Sequence, residues 1–397
     1  MSRIKLLVDA RSVGGEGQGM TTYLEGMYNA FYQQFKDNYE LFFAGYDQQA
    51  IQELFPFCQD HHFLPVKSRN RWKLFFLEFP KMIRKNKIDF AHFQYVCPFI
   101  KTCPYITTTH DVLFLDFPKE FSWWYRFKRK LLFKWSLEKS DIRLTVSDYS
   151  RKRLSKHFAL PAHSIQVTPN GVASVYYQPF NKKNIRRLIK DKYGIENYIL
   201  FVSRLERRKN HQLLLNAFKE LKLADKGIHL VIVGNNTLNE KSLTDQVKEM
   251  INAYPGQVHW IRYLEKQELL QFYQGANLFV FPSKAEGFGI PPIEAAALGT
   301  PVLCGNNTAM QDFSFFGENH FDVDDPEAFK VKLLKNLNTP ASPDQLAEIT
   351  ETIRSTYSWE RSASVLQSAI QSILPNRNQK TIINNQKPKT LLTSLQS

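Results

Sequence analysis

The sequence predicts an α/β protein built as two doubly wound parallel-sheet domains facing a central cleft. Three observations predict it. At 397 residues the chain is too long for one compact core. Short β-branched and aromatic runs alternate with longer helical patterns from end to end, the mark of mainly parallel sheets. A polar, basic stretch at 177–193 divides these runs into two series and reads as a linker.

In the first series strands are predicted over 4–9 (IKLLVD), 39–44, 88–93, 104–109, 142–146 and 165–168. The second has strands over 198–203 (YILFVS), 228–233, 257–261, 277–281 and 300–303. The domains expected are therefore 1–180 on the acceptor side and 195–357 for the nucleotide ligand. A helical segment at 358–374 and a disordered tail at 375–397 follow.

Composition narrows the function. With 43% apolar and 14% aromatic residues, global disorder is excluded. Lys and Arg outnumber Asp and Glu by 52 to 38, a net charge of +14 that favours anionic partners. Cys58, Cys97, Cys103 and Cys304 form no CxxC pair, which fits a reducing compartment. The opening MSRIKLLVDARS lacks a signal peptide's apolar run, and no stretch is long enough to span a bilayer, so a cytoplasmic location is expected.

Four segments can carry chemistry. Gly14, Gly15, Gly17 and Gly19 lie between the first strand and a helix, where backbone amides can approach an anion; the spacing matches neither a dinucleotide nor a P-loop fingerprint. Thr109-His110-Asp111 ends the fourth strand, where a histidine can reach a ligand in the cleft. Arg204, Arg207, Arg208 and Lys209 stand between a strand and a helix N-terminus, where cations oppose the dipole and need an anion. Glu286-Gly-Phe-Gly-Ile-Pro-Pro-Ile-Glu294 reads as a glycine-rich loop entering a helix, with the amides of Phe288, Gly289 and Ile290 aimed into the cleft. Glu294 is expected in the helix's first turn, a favourable place for an acid.

No zinc-type spacing is present; His61-His62 reads as a solvated loop, and Asp322, Asp324 and Asp325 read as caps. The segment FSWWYRFKRKLLFKWSLEK (121–139) places Trp124, Phe127, Leu131 and Trp135 on one stripe beside a basic face. That stripe suits either docking on an anionic membrane or packing against the sheet as an ordinary domain helix. Basic clusters at 69–87 and 126–134 raise nucleic-acid binding as a rival, yet neither belongs to a known module.

The run EGFGIPPIEAAALGTPV resembles the E-x7-E signature of the retaining glycosyltransferases of family 4, which have the GT-B fold of two Rossmann-like domains. THDVLFLDFP (109–118), VSDYSRKRL (146–154), TPNGV (168–172) and SRLERRKN (203–210) agree in order. The resemblance implies that Arg204 and Lys209 hold the donor diphosphate, Glu294 the ribose, and Glu286 with the amides of Phe288, Gly289 and Ile290 the transferred sugar. It implies that His110 reaches that sugar from the other domain, that the glycine loop borders phosphate and acceptor, and that the final helix crosses back onto the first domain. Base contacts are expected near Gly234, Tyr263 and Leu264.

The donor implied is a nucleoside-diphosphate sugar such as GDP-mannose or a UDP-hexose, used without a metal or other cofactor. The acceptor implied is a glycan or a lipid-linked sugar in cell-surface polysaccharide synthesis, with peripheral membrane contact and no nucleic acid. Transfer would retain configuration by same-face attack, with Glu286 positioning the sugar and not acting as nucleophile. An epimerase or phosphorylase on the same fold is the nearest alternative. The chain departs from the family at Met20-Thr21-Thr22, where relatives carry a glycine and an arginine, and at Ser203, where many carry glycine.

Overall fold

The computed structural model describes residues 3–15, 18–236 and 240–385. Its first sheet comprises β1 (Ile4–Asp9), β2 (Tyr39–Gly45), β3 (Phe63–Pro65), β4 (Phe90–Gln94), β5 (Tyr105–Thr108), β6 (Ile142–Thr145) and β7 (Ile165–Val167). The second comprises β8 (Tyr198–Val202), β9 (His229–Val233), β10 (Val258–Ile261), β11 (Leu278–Phe281), β12 (Val302–Gly305) and β13 (His320–Phe321). The orders are β3-β2-β1-β4-β5-β6-β7 and β10-β9-β8-β11-β12-β13, and every pairing is parallel. Strand order reverses beside β1 and β4, and again beside β8 and β11. At such switch points the loops leaving the carboxyl ends part and open a crevice. The candidate residues after β1, β4, β5, β8 and β11 therefore lie at those crevices.

Alternation along the strands explains the layers. Leu6 and Val8 enter one core and Leu7 the other, because successive side chains point to opposite faces and both faces are covered by helices. Full burial of each such side chain contributes about 1.5–3 kcal/mol.

Several expectations change. Most of the supposed linker is the helix Lys182–Tyr193, capped by Asn181 and closed by Gly194 at φ 68°. Its cationic surface hides that cap-and-stop pair, and Ile189 anchors its inner face. The short strands β3 and β13 had no visible run of their own. The final helix, Trp359–Asn385, continues past Leu374, so 375–385 is helical where disorder was expected, and 386–397 lies outside the described residues. It packs along the helix Gln18–Phe35. Trp359 fills the space that side chains at Gly26 and Gly171 would take: a Cβ there would meet its ring at 2.0 Å and its amide nitrogen at 2.4 Å.

The aromatic stripe faces outward. The helix Trp123–Lys139 packs through Phe133, Ser136 and Leu137, while Trp124, Phe127 and Leu131 are exposed and the half-buried Trp135 lies 5.8 Å from Phe99. Packing of this stripe on the sheet is thus overturned. Among the described residues, no helix is long and apolar enough to cross a membrane.

Candidate active site

The loop after β8 and the loop after β11 meet at Glu286. Its Oε1 accepts from Lys209 Nζ at 2.5 Å and from Ser283 Oγ at 2.7 Å, and its Oε2 accepts from Arg208 Nη1 at 3.0 Å. Burial pushes this carboxyl up, but Lys209 and Arg208 pull it down to about 2, so it is ionised at neutral pH. Burial pulls the Lys209 ammonium below the usual lysine range, with Glu286 opposing that shift. The anion that the cationic run required is thus supplied by the protein itself.

Arg208 was expected only as one of the four cations of that run, with no role of its own. Its other amino group is 2.8 Å from Glu206 Oε2, so it bridges two acids. Arg204 pairs with Glu206 Oε1 at 2.8 Å and remains partly exposed at the cleft side. The amide of Glu286 donates to Thr308 Oγ1 at 2.8 Å, from a threonine held at φ 55°. Such a conformation costs energy and persists where surrounding contacts over-determine it.

Glu294 sits beyond the first turn of the helix Ile290–Ala297, which corrects its expected place and removes the dipole explanation. Tyr273 donates to its Oε2 at 3.1 Å and Tyr176 bonds it too; burial nevertheless raises its pKa. With no ion pair to it among the described residues, this carboxyl is set up as a hydrogen-bond acceptor for a ligand. Phe288 turns its ring into the core, edge-on to Phe313 and Tyr357, so only its backbone can serve a ligand. Gly289 caps the helix at φ 105°; Pro291 and Pro292 carry no N–H, so Ile290 supplies the free amide of the helix's first turn.

From the first sheet, His110 Nε2 is 2.7 Å from Gln94 Oε1, and its ring stands edge-on to Tyr23 at 5.0 Å. Burial lowers its pKa to about 4, so the ring is neutral at physiological pH. Asp111 is half-buried beside it, its carboxyl raised by desolvation against the lowering pull of the Leu113 amide and of Arg208 across the cleft. Tyr95, at φ 64° after β4, lies 5.3 Å from the His110 ring.

The two lobes touch at this point. Ser147 Oγ donates to the Gly287 carbonyl at 2.8 Å, and Asp312 Oδ2 accepts the amides of Asp148 and Tyr149, capping a helix of the opposite lobe. A Cβ on Gly287 would lie 2.8 Å from that of Asp111. Only glycine allows this approach, which brings Glu286 opposite His110.

The remaining expected positions are less convergent. Gly14 (φ 78°) lies against Asp47 and Ala50, Gly15 donates to Ser12 at 3.3 Å, and Gly19 faces open space; Gly17 lies outside the described residues. Gly234 is required by the backbone, since a Cβ there would be 2.1 Å from Ser203 O, and its carbonyl accepts from Trp260 at 2.7 Å. Tyr263 is exposed and Leu264 buried. Asp325 caps the helix Pro326–Asn338 and Asp322 accepts from Asp324. His61 and His62 form a short 3-10 turn beside Glu40 instead of a loop, with ligating atoms within 4.8 Å of one another. That group is at the β2–β3 edge, away from the crevice, and the Gln59 amide already donates to His62 Nδ1.

Three buried histidines, His92, His110 and His211, are expected to make the protein acid-labile. Burial lowers His92 and His211 to about 3 and His110 to about 4, all below the unfolded value near 6.5. As pH falls the unfolded chain takes up these protons first, so stability drops between about pH 6.5 and 3, the His110 share being lost by about pH 4, by up to about 1.4 kcal/mol per pH unit for each. Melting temperature measured against pH should fall through this window; a flat profile would contradict neutral burial.

Comparison with known proteins agrees with this geometry. Residues 19–174 match the model described as Glycosyltransferase Family 4, and 183–352 match Glycosyl transferases group 1, together most of the chain. An O-antigen chain mannosyltransferase B of Escherichia coli is 29% identical over 238 residues, covering 58% of this chain and 61% of that protein. An O-antigen chain mannosyltransferase of Salmonella typhimurium is 28% identical over 256 residues, covering 63% and 66%. The match thus spans less than two thirds of either relative. Among solved structures, sucrose-phosphate synthase from Thermosynechococcus elongatus superposes with a TM-score of 0.73 at 18% identity, over 94% of this chain and all of that one. Anabaena HepE in complex with UDP gives 0.70 at 15%, over 94% of this chain and 100% of that one. The chain belongs to the family 4 glycosyltransferases and has the GT-B fold.

Proposed function

We propose that this protein transfers a hexose, with retention of configuration, from a nucleoside-diphosphate sugar to a glycan or lipid-linked acceptor in cell-surface polysaccharide synthesis. The observation that carries the reading is the Glu286 carboxylate, held between Lys209 and Arg208 and placed opposite His110 where the lobes meet. The mannosyltransferase relatives make a mannosyl donor such as GDP-mannose the first to test.

In this reading Arg204 and Lys209 neutralise the charge that grows on the leaving diphosphate, a preorganised effect of several kcal/mol. Glu286, fixed in its ionised form, accepts hydrogen bonds from the sugar hydroxyls, and Glu294 accepts from the ribose. His110, neutral and oriented by Gln94, presents its ring to the sugar from the first lobe. The acceptor attacks from the leaving-group face, and a donor phosphate oxygen takes its proton. No step requires a metal. Base contacts fall near Gly234, Tyr263 and Leu264. The enzyme works in the cytoplasm, and the outward Trp124, Phe127 and Leu131 with neighbouring lysines and arginines suit contact with an anionic membrane.

A thermal-shift panel of UDP, GDP, ADP and their sugars tests the donor. The right nucleotide at 100 times its dissociation constant should stabilise the protein by about 2.7 kcal/mol. A panel in which none shifts the melting temperature would refute the reading.

A further inference from the structure

The inner face of the helix Trp123–Lys139 is apolar only at its far end, at Phe133 and Leu137. One and two turns earlier, at helical spacing on that face, stand Arg129 and Arg126. Both are partly buried, and Arg126 Nε is buried with no hydrogen-bond partner. The Arg129 guanidinium lies 4.7 Å from the Tyr125 ring centre and 5.9 Å from that of Phe133, within electrostatic reach of Asp111 and Tyr95.

Two further guanidiniums approach from other elements. Arg11, just beyond β1, is gripped by both Asp9 oxygens at 2.7 Å and lies 5.1 and 5.3 Å from the rings of Phe75 and Phe79. Arg71, itself exposed, opens the segment Arg71–Lys73 that leads to those rings; partial desolvation, then Arg129 and Arg11, lower its pKa. Asp9 is committed to Arg11. Among the described ion pairs, no carboxylate is bonded to Arg71, Arg126 or Arg129. Like charges gathered this way repel one another, and an anion between them relieves the repulsion.

We infer that Arg71, Arg126 and Arg129, backed by Arg11, form a recess for a phosphoryl group carried by the acceptor. This inference rests on the transferase reading above and names the chemistry of its second substrate. The recess lies at the carboxyl end of the first sheet, beside Asp111 and on the acceptor's side of the cleft. The donor diphosphate has its own cations, Arg204 and Lys209, on the other lobe, so a second cationic set serves a different anion. Guanidinium forks match phosphoryl oxygens, and arginine resists the desolvation that deprotonates lysine. A membrane phospholipid offers the same chemistry, but Trp124, Phe127 and Leu131 are exposed on the outer face of this helix while Arg126 and Arg129 are on its inner face; Trp72 and Leu77 are exposed beside Arg71.

Calorimetric titration of inorganic pyrophosphate into the full chain, and into the Arg71→Gln/Arg129→Gln double variant, tests the recess. Wild type should bind two pyrophosphates, one per lobe, and the variant one, with the lost site weakened about tenfold or more per arginine. The nucleotide-induced thermal shift should be the same in both. Identical isotherms from two equally stable proteins would overturn the inference, as would loss of the nucleotide shift in the variant, which would put these arginines in the donor site. Absence of any nucleotide shift in either protein refutes the transferase reading instead, and the two isotherms still decide the recess. Flotation with phosphatidylglycerol vesicles that depends on Arg71 and Arg129, with no second pyrophosphate bound, would make the lipid headgroup the source and overturn the acceptor assignment.

Discussion

Glu286→Gln is expected to lower kcat/KM by about 10²–10³-fold, the loss seen when one preorganised electrostatic contact is removed from a transition state. The amide keeps the shape but cannot hold Lys209 and Arg208 by charge, so under the proposed function sugar orientation and the poise of the diphosphate cations are expected to fail together. Glu286→Ala goes further. It leaves the largely buried Lys209 without its counter-charge, at a cost of about 3–5 kcal/mol. The acid response carries the same signature. With a folded pKa near 2, below the unfolded carboxylate value, Glu286 stabilises the fold above about pH 4.5 and loses that contribution as pH falls through 2. Initial rates and melting curves for the two variants check this. A Gln variant with wild-type turnover would reduce Glu286 to a structural counter-ion.

Trp359→Ala should destabilise the protein by about 3–5 kcal/mol, the usual cost of truncating a buried aromatic. The ring occupies the hollow made by Gly26 and Gly171, so its loss leaves a cavity that backbone cannot fill. The effect should reach the site. Trp359 stands 6.1 Å from Tyr23, whose hydroxyl bonds Thr168 at 2.8 Å and whose ring supports His110. Lower turnover, a lower melting temperature and faster proteolysis at the start of the final helix are expected together. Unchanged stability would mean that this helix is not docked on the first lobe in solution.

All the strands but the short β3 and β13 were legible because their signal is local. A run such as Tyr198–Val202 is apolar on both faces, and five residues suffice to show it. The helix Lys182–Tyr193 was missed for the opposite reason. Its surface is cationic, and a single buried Ile189 with its caps is a fainter signal than the charge around it. The acids of the E-x7-E run could be located, but their different surroundings could not. Glu286 is held by cations from a loop 77 residues away, whereas Glu294 is held by tyrosines. Charge partners of that kind leave no periodic trace, and Arg208 looks like its neighbours until the loops after β8 and β11 are brought together.

By itself the sequence determined two parallel-sheet lobes, the loops at their carboxyl ends and the family they belong to, because strand and helix periods and glycine-dependent turns are written within a few residues of each other. Only the tertiary structure decided that Lys209 and Arg208 share Glu286, that Gly287 lets the lobes meet, and that the aromatic stripe of Trp123–Lys139 faces outward while its arginines face in. Those outcomes depend on which surfaces pack together, and the energy of burying or pairing a side chain exists only once its distant neighbours are in place.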